Sequence, residues 1–175
     1  MSALVFVDTH VLVSARDARV PAKLALACEW LRLLWNEERG RTSCQVLSDY
    51  YDFVAQILTS PSERDDVWDD VRHYLTWNPQ PIDMEVLESA REIQQRYSLD
   101  WKDCLVVSAA QVQGCVLVLS EGLSDGAEYD GIVVRSPFTL RVAEERGAYT
   151  LPARAASRHR SRGRPRIKPR AAASS

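Results

Sequence analysis

The chain opens on an uninterrupted apolar run, Leu4-Val5-Phe6-Val7, whose β-branched and aromatic content reads as a strand buried on both faces. Cys115 to Leu119 is a second such run and Ile132 to Val134 a shorter third, with Arg41 to Cys44 a further strand candidate. Between them the apolar positions switch to helical spacing. Pro21 opens a helix with Leu24, Cys28, Leu31 and Leu34 or Trp35 on one face, ending near Gly40. From Gln45, the residues Leu47, Tyr50, Val54 and Leu58 recur at helical spacing as far as Ser60-Pro61. Pro61 to Leu75 predicts another helix, with Val67, Trp68, Val71 and Leu75 turned inward. After the break at Asn78-Pro79-Gln80-Pro81, Met84 to Tyr97 carries the stripe Val86, Ala90, Ile93 and Tyr97. Trp101 to Gln113 is the most apolar helix, and Gly114 closes it. Asp130-Gly131 marks a turn and Pro137 a break. Strands alternating with helices in this way predict an α/β fold, with a mostly parallel sheet covered on both faces.

Composition adds a boundary. The 175 residues suit one domain over 1–145 followed by a tail over 146–175, because the apolar pattern vanishes beyond Pro152 and disorder is expected there. The net charge of −2 hides an uneven distribution. Residues 154–170 hold eight basic side chains and no acid, leaving 14 basic residues against all 24 acids elsewhere, a formal charge of −10. An acidic body with a cationic tail points to a polyanion partner, or to the tail folding back on the body. No apolar run approaches the roughly 18 residues of a membrane span, so no membrane contact is expected. The N-terminus lacks the basic head and cleavage site of a secretory signal. Cys28, Cys44, Cys104 and Cys115 lie in apolar segments without a CxxC pair, the usage of small hydrophobes in a reducing compartment. The expected location is the cytoplasm.

Several acids stand at the mouths of the buried elements. Asp8 ends the first strand, at the sheet edge where open α/β folds place their chemistry. Asp49 lies early in its helix, one turn from Val46 and Phe53, at the border of the buried face. Asp103 heads the most apolar helix on the stripe of Val107 and Ala110, so its charge needs a partner. Glu121 follows the Cys115 to Leu119 strand, and Asp125 comes four residues later. An acid early in a helix also complements the helix dipole, and that reading stays open at Asp49 and Asp103. Carboxylates gathered in one place repel unless a cation sits between them, and Mg²⁺ or Mn²⁺ suits carboxylates plus water. Such a site activates water for attack on a phosphodiester.

Val5-Phe6-Val7-Asp8-Thr9-His10-Val11-Leu12-Val13 resembles the opening of PIN domains, especially the VapC-type toxins of bacterial toxin–antitoxin pairs. Gln45-Val46-Leu47-Ser48-Asp49-Tyr50 resembles their second acidic motif, with Asp where Glu is usual, and Trp101-Lys102-Asp103-Cys104-Leu105-Val106-Val107-Ser108-Ala109-Ala110 their third. Val118-Leu119-Ser120-Glu121-Gly122-Leu123, followed by Val134-Arg135-Ser136-Pro137-Phe138, is similar to their closing segment. The likeness runs over roughly residues 3 to 140. It implies a three-layer α/β/α sandwich, acids converging at one sheet edge, and Mg²⁺- or Mn²⁺-dependent cleavage of RNA. Asp8, Asp49, Asp103 and Glu121 would be catalytic, and Asp8, Asp103, Asp49 and Asp125 would hold metal. Thr9 and Ser120 would support them with hydroxyls. A small antitoxin protein is the implied partner, and pairing as a homodimer stays open. The chain also departs from the pattern. An acid usually follows the position of Glu121, where this chain has Gly122; His10 and Ser136 stand where Asn is customary. A catalytically weak module that binds nucleic acid or a partner through its tail is therefore the alternative.

In the tail, Arg162-Gly163-Arg164-Pro165-Arg166 resembles an AT-hook, which sets Arg-Gly-Arg-Pro into the minor groove of A·T-rich DNA. General polyanion affinity is the competing reading. Other chemistries lack their residues. The seven glycines make no phosphate-cradling loop, His10, His73 and His159 are too dispersed for a zinc pair, and no GxSxG elbow is present.

Overall fold

The computed structural model describes residues 3–58 and 60–144. The tail and its Arg162–Arg166 segment lie outside the described residues, as does the proposed boundary at 145/146. Strand β1 (Val5–Val7) leads into α1 (Thr9–Ser14) and α2 (Pro21–Asn36), then β2 (Gly40–Arg41). Four helices follow: α3 (Cys44–Ile57), α4 (Pro61–Tyr74) running into a 3₁₀ turn at Leu75–Trp77, α5 (Met84–Tyr97) and α6 (Trp101–Val112). Strands β3 (Leu117–Leu119), β4 (Glu128–Tyr129) and β5 (Ile132–Arg135) complete the described fold.

The sheet order is β2-β1-β3-β5-β4, with β4 alone antiparallel. The chain moves from β1 to β2 on one side and then crosses back over β1 to reach β3. Two right-handed crossovers in opposite directions set their helices on opposite faces of the sheet, an α/β sandwich. The reversal happens at β1, so a crevice is expected beyond its carboxyl end, beside β3. That is where Asp8 stands.

Burial on both faces explains the continuous apolar runs: Val5, Phe6, Val7, Val118 and Leu119 are fully inaccessible. Local caps set several helix starts. Ser43 Oγ accepts the Val46 N–H at 3.2 Å, Asp83 Oδ1 accepts the Val86 N–H at 2.9 Å, and Pro21 occupies the first turn of α2. Asp130 (φ 51°) and Gly131 (φ 87°) take left-handed conformations and turn β4 tightly into β5.

Several expectations are corrected. Helix α1 was not anticipated, because Thr9-His10-Val11-Leu12-Val13-Ser14 is rich in β-branched residues; Asp8 caps it and the burial of Val11, Leu12 and Val13 holds it. The strand expected over Arg41 to Cys44 lies at Gly40–Arg41, since Ser43 already caps α3. On α2 the buried stripe is Ala27, Trp30, Leu31, Leu33 and Leu34, with Leu24, Cys28 and Trp35 only half-buried. Trp30 turns inward because its indole N–H reaches the Pro137 and Leu140 carbonyls, each at 3.2 Å. On α4 only Val67 and Val71 are buried; Leu75 is exposed, and Trp68 lies outside, edge-on to Tyr51 at 5.6 Å. All four cysteines are free, but Cys44 is exposed rather than a buried hydrophobe. Burial pushes the Cys115 thiol up to about 12, in keeping with an inert packing residue. Among the described residues no helix is long and apolar enough to cross a membrane.

Candidate active site

Asp8 is the residue after β1 and the N-cap of α1, so one side chain joins the sheet edge to a helix start. Its N–H donates to the Leu119 carbonyl at 3.0 Å, extending the β1–β3 ladder by one residue. Its Oδ1 accepts the Thr9 N–H at 2.7 Å, and its Oδ2 accepts the Ser120 hydroxyl at 2.6 Å. The carboxylate is 7% exposed. Ser120 is fully buried, and its Oγ also accepts the N–H groups of Gly122 at 3.0 Å and Leu123 at 3.2 Å. One hydroxyl therefore orients Asp8 and shapes the loop after β3. The Thr9 contribution runs through its backbone N–H, where a hydroxyl role was expected.

Asp8 opens onto a cavity of about 310 Å³, and its walls gather three of the expected acids. Asp49 comes from α3 and Asp103 from the first turn of α6. Thr9, His10, Lys102 and Gly122 complete the rim near them, while Gln45, Asp52, Phe53 and Gln56 continue along α3. Burial raises the Asp103 pKa, and the neighbouring charge of Asp8 raises it further, with a lesser push from Asp100; His10 works in the opposite direction. The two carboxylates thus feel each other across the cavity. Lys102 Nζ lies 3.4 Å from both oxygens of Asp49. Its side chain is 74% exposed, so this pairing is weak and readily displaced.

The other two expected acids stand apart. Glu121 turns away from the cavity to pair with Lys23 of α2, whose ammonium also lies 4.9 Å from the Phe138 ring centre. Gly122, the next residue, forms the cavity wall instead. Asp125 is occupied elsewhere: it accepts from the Ser136 N–H at 2.9 Å, the Thr139 hydroxyl at 2.9 Å and Arg135 Nε at 3.0 Å. These donors hold its carboxyl below the usual carboxylate range. Asp125 ties the loop after β3 to the end of β5 and does not line the cavity that holds the other acids, where it was expected as a metal ligand. Gln45, Asp52, Phe53 and Gln56 also line the cavity, and sequence spacing singled out none of them as a site residue.

Among the described residues, no three His, Cys, Asp or Glu side chains close around a single point as a ready-made metal cage. The donor set nonetheless fits a hard divalent cation. All three acids offer carboxylate oxygens, and the Asp103 pKa is raised first by burial and then by the neighbouring charge of Asp8, a charge that a cation between them would offset. Mg²⁺ keeps several of its waters and needs only one or two direct carboxylates, so a spread set suits it.

Residues 5–123 match the family model of the PIN domain. The match contains Asp8, Asp49, Asp103 and Gly122 and stops short of Asp125. No curated protein matches the chain. With two thirds of its length inside the match, and a parallel sheet that brings those three acids to one crevice, the chain belongs to the PIN domain family.

Proposed function

We propose that the protein is a metal-dependent endoribonuclease of the VapC toxin type, held in check by a small antitoxin protein. The PIN domain is generally a nuclease fold. The observation that carries the reading is the convergence of Asp8, Asp49 and Asp103, from three separate elements, on one cavity. Asp8 and Asp103 would hold Mg²⁺ or Mn²⁺, with Asp49 reaching it through water. The bound ion supplies charge neutralisation at the phosphodiester and a water of lowered pKa. In the hydrolysis a water oxygen bonds to phosphorus, the P–O ester bond breaks, and the departing oxygen takes up a proton. Ser120 and the Thr9 N–H keep Asp8 fixed before anything binds, so little reorganisation remains for the reaction. Lys102 leaves its weak pairing with Asp49 to meet a phosphate oxygen, which offsets part of the acidic body's repulsion of RNA. The test is cleavage of defined RNAs by the full chain, with and without Mg²⁺ or Mn²⁺. Metal-dependent cuts at reproducible positions support the proposal, and intact RNA with either ion overturns it.

Gly122 favours a second reading, a catalytically weak module that binds nucleic acid or a partner. A glycine stands in the wall where a fourth acid is customary, and the carboxylate that precedes it in the chain, Glu121, is paired with Lys23. A Cβ at Gly122 would lie 3.8 Å from Ser120 Oγ and 3.9 Å from His10 Cδ2, ordinary contact distances. Gly122→Asp is therefore expected to fold normally and to raise metal-dependent cleavage about tenfold, the scale on which groups around a metal alter activity. Equal rates for Gly122→Asp and the wild type would show that three acids suffice.

The tail enters the same proposal as a nucleic-acid contact, with Arg162, Gly163, Arg164, Pro165 and Arg166 at its centre. Removing residues 153–175 is expected to weaken binding and flatten its dependence on salt, since each lost phosphate contact lowers the slope of log K against log salt by about 0.7 for a single strand. An identical slope in the shortened chain would place the contact elsewhere.

A further inference from the structure

One wall of the cavity is an aromatic ring that the core does not use. Helix α3 buries Val46, Leu47, Tyr50 and Val54, whereas Phe53 stays 44% exposed and faces the cavity. Phe53 follows Asp49 by one helical turn, about 6 Å along the axis. Gln56 stands one turn further, and its Nε2 donates to Asp52 Oδ2 at 2.9 Å, which leaves its carbonyl oxygen open to accept. The wall therefore runs from carboxylates to a flat apolar face to a hydrogen-bonding amide. A hydrated metal ion has no use for the last two features.

A nucleotide matches all three. Its phosphate belongs at the charged end when a divalent cation lies between it and the carboxylates, the face of its base covers an exposed aromatic ring, and its base edge carries amino and imino donors for an amide oxygen. A base inside a duplex is already stacked on both faces and cannot reach the ring. We propose that Phe53 is the stacking platform for one unpaired base next to the bound phosphate, with Gln56 at that base's edge, so that Phe53 selects single-stranded RNA. This deepens the nuclease reading above and rests on it.

Phe53→Ala is expected to raise KM for a single-stranded oligoribonucleotide roughly tenfold with a much smaller change in kcat, the signature of a binding contact away from the reacting bond. Phe53→Trp should restore KM, because any aromatic face serves. Affinity is also read by fluorescence anisotropy in the Asp8→Asn chain, where no cutting competes. There, an abasic residue walked along the strand should lower affinity at one position, and only when Phe53 is present. A fully paired duplex should show no dependence on Phe53. Equal KM for wild type and Phe53→Ala, or abasic effects that persist in Phe53→Ala, overturn the platform. A wild type that cuts no RNA overturns the nuclease reading, while the anisotropy series still decides whether a base stacks on Phe53.

Discussion

Replacing Asp8 with asparagine is expected to lower metal-dependent RNA cleavage more than about a hundredfold while the domain stays folded. The loss is at least that large because groups one shell further from a metal already cost about 10- to 100-fold. Asn keeps the shape and one of the two hydrogen bonds that Asp8 accepts. It caps helices as well as Asp does, so its Oδ1 still accepts the Thr9 N–H or the Ser120 hydroxyl. What disappears is one negative charge on the cavity wall, together with one of the two acceptor oxygens. The Asp103 pKa should fall at the same time, since the Asp8 charge is part of what raises it. Asp8→Ala is the poorer test: it removes the cap, costs about 1 kcal/mol, and leaves the buried Ser120 hydroxyl without its acceptor. Cleavage rates with Mn²⁺ and a circular dichroism melt of Asp8→Asn settle the question together. Undiminished cleavage in a folded Asp8→Asn protein would remove the proposed centre.

The second large effect concerns stability. Gly40→Ala is expected to destabilise the domain by about 3 kcal/mol, the upper end of ordinary overpacking, and to lower Tm by roughly 10 °C. Gly40 lies in β2 opposite Val5, and an added Cβ would fall 2.4 Å from Trp77 Cε2 and 2.5 Å from Cζ2. Trp77 has little freedom to retreat. It is 3% exposed and packs against Trp35, 4.8 Å away, and Tyr74, 5.3 Å away. The glycine here serves close approach of an indole to a strand. Adding Trp77→Leu to Gly40→Ala should return part of the lost Tm, because the smaller side chain vacates the contested space. A Gly40→Ala melt that coincides with the wild type would show that the indole does not sit on β2.

Much of the fold was legible because burial writes itself into periodicity. The stripe Val86, Ala90, Ile93 located α5 at its observed ends, Met84 and Tyr97, and the continuous apolar runs located β1 and β3. What escaped depends on partners distant in sequence. Trp30 is buried by carbonyls at Pro137 and Leu140, and no local pattern announces them. Helix α1 contradicts its own β-branched composition and exists because tertiary burial outweighs propensity. At the candidate site, the order and setting of Asp8, Asp49 and Asp103 could be read, because each interrupts or opens a buried element. Glu121 and Gly122 could not be told apart by position alone. Which of two adjacent loop residues faces the cavity was decided by Lys23, nearly a hundred residues earlier. Phe53, one turn from Asp49, carried no signal of a site in the sequence and is part of the cavity wall.

The contact between Asp8 and the Ser120 hydroxyl spans 112 positions. A polypeptide leaving the ribosome thus carries its first acid long before the group that locks it in place has been translated. Until Ser120 has been added, the Asp8 carboxylate lacks the hydroxyl that holds its Oδ2, so the ordering of this side chain waits on translation of a residue 112 positions later.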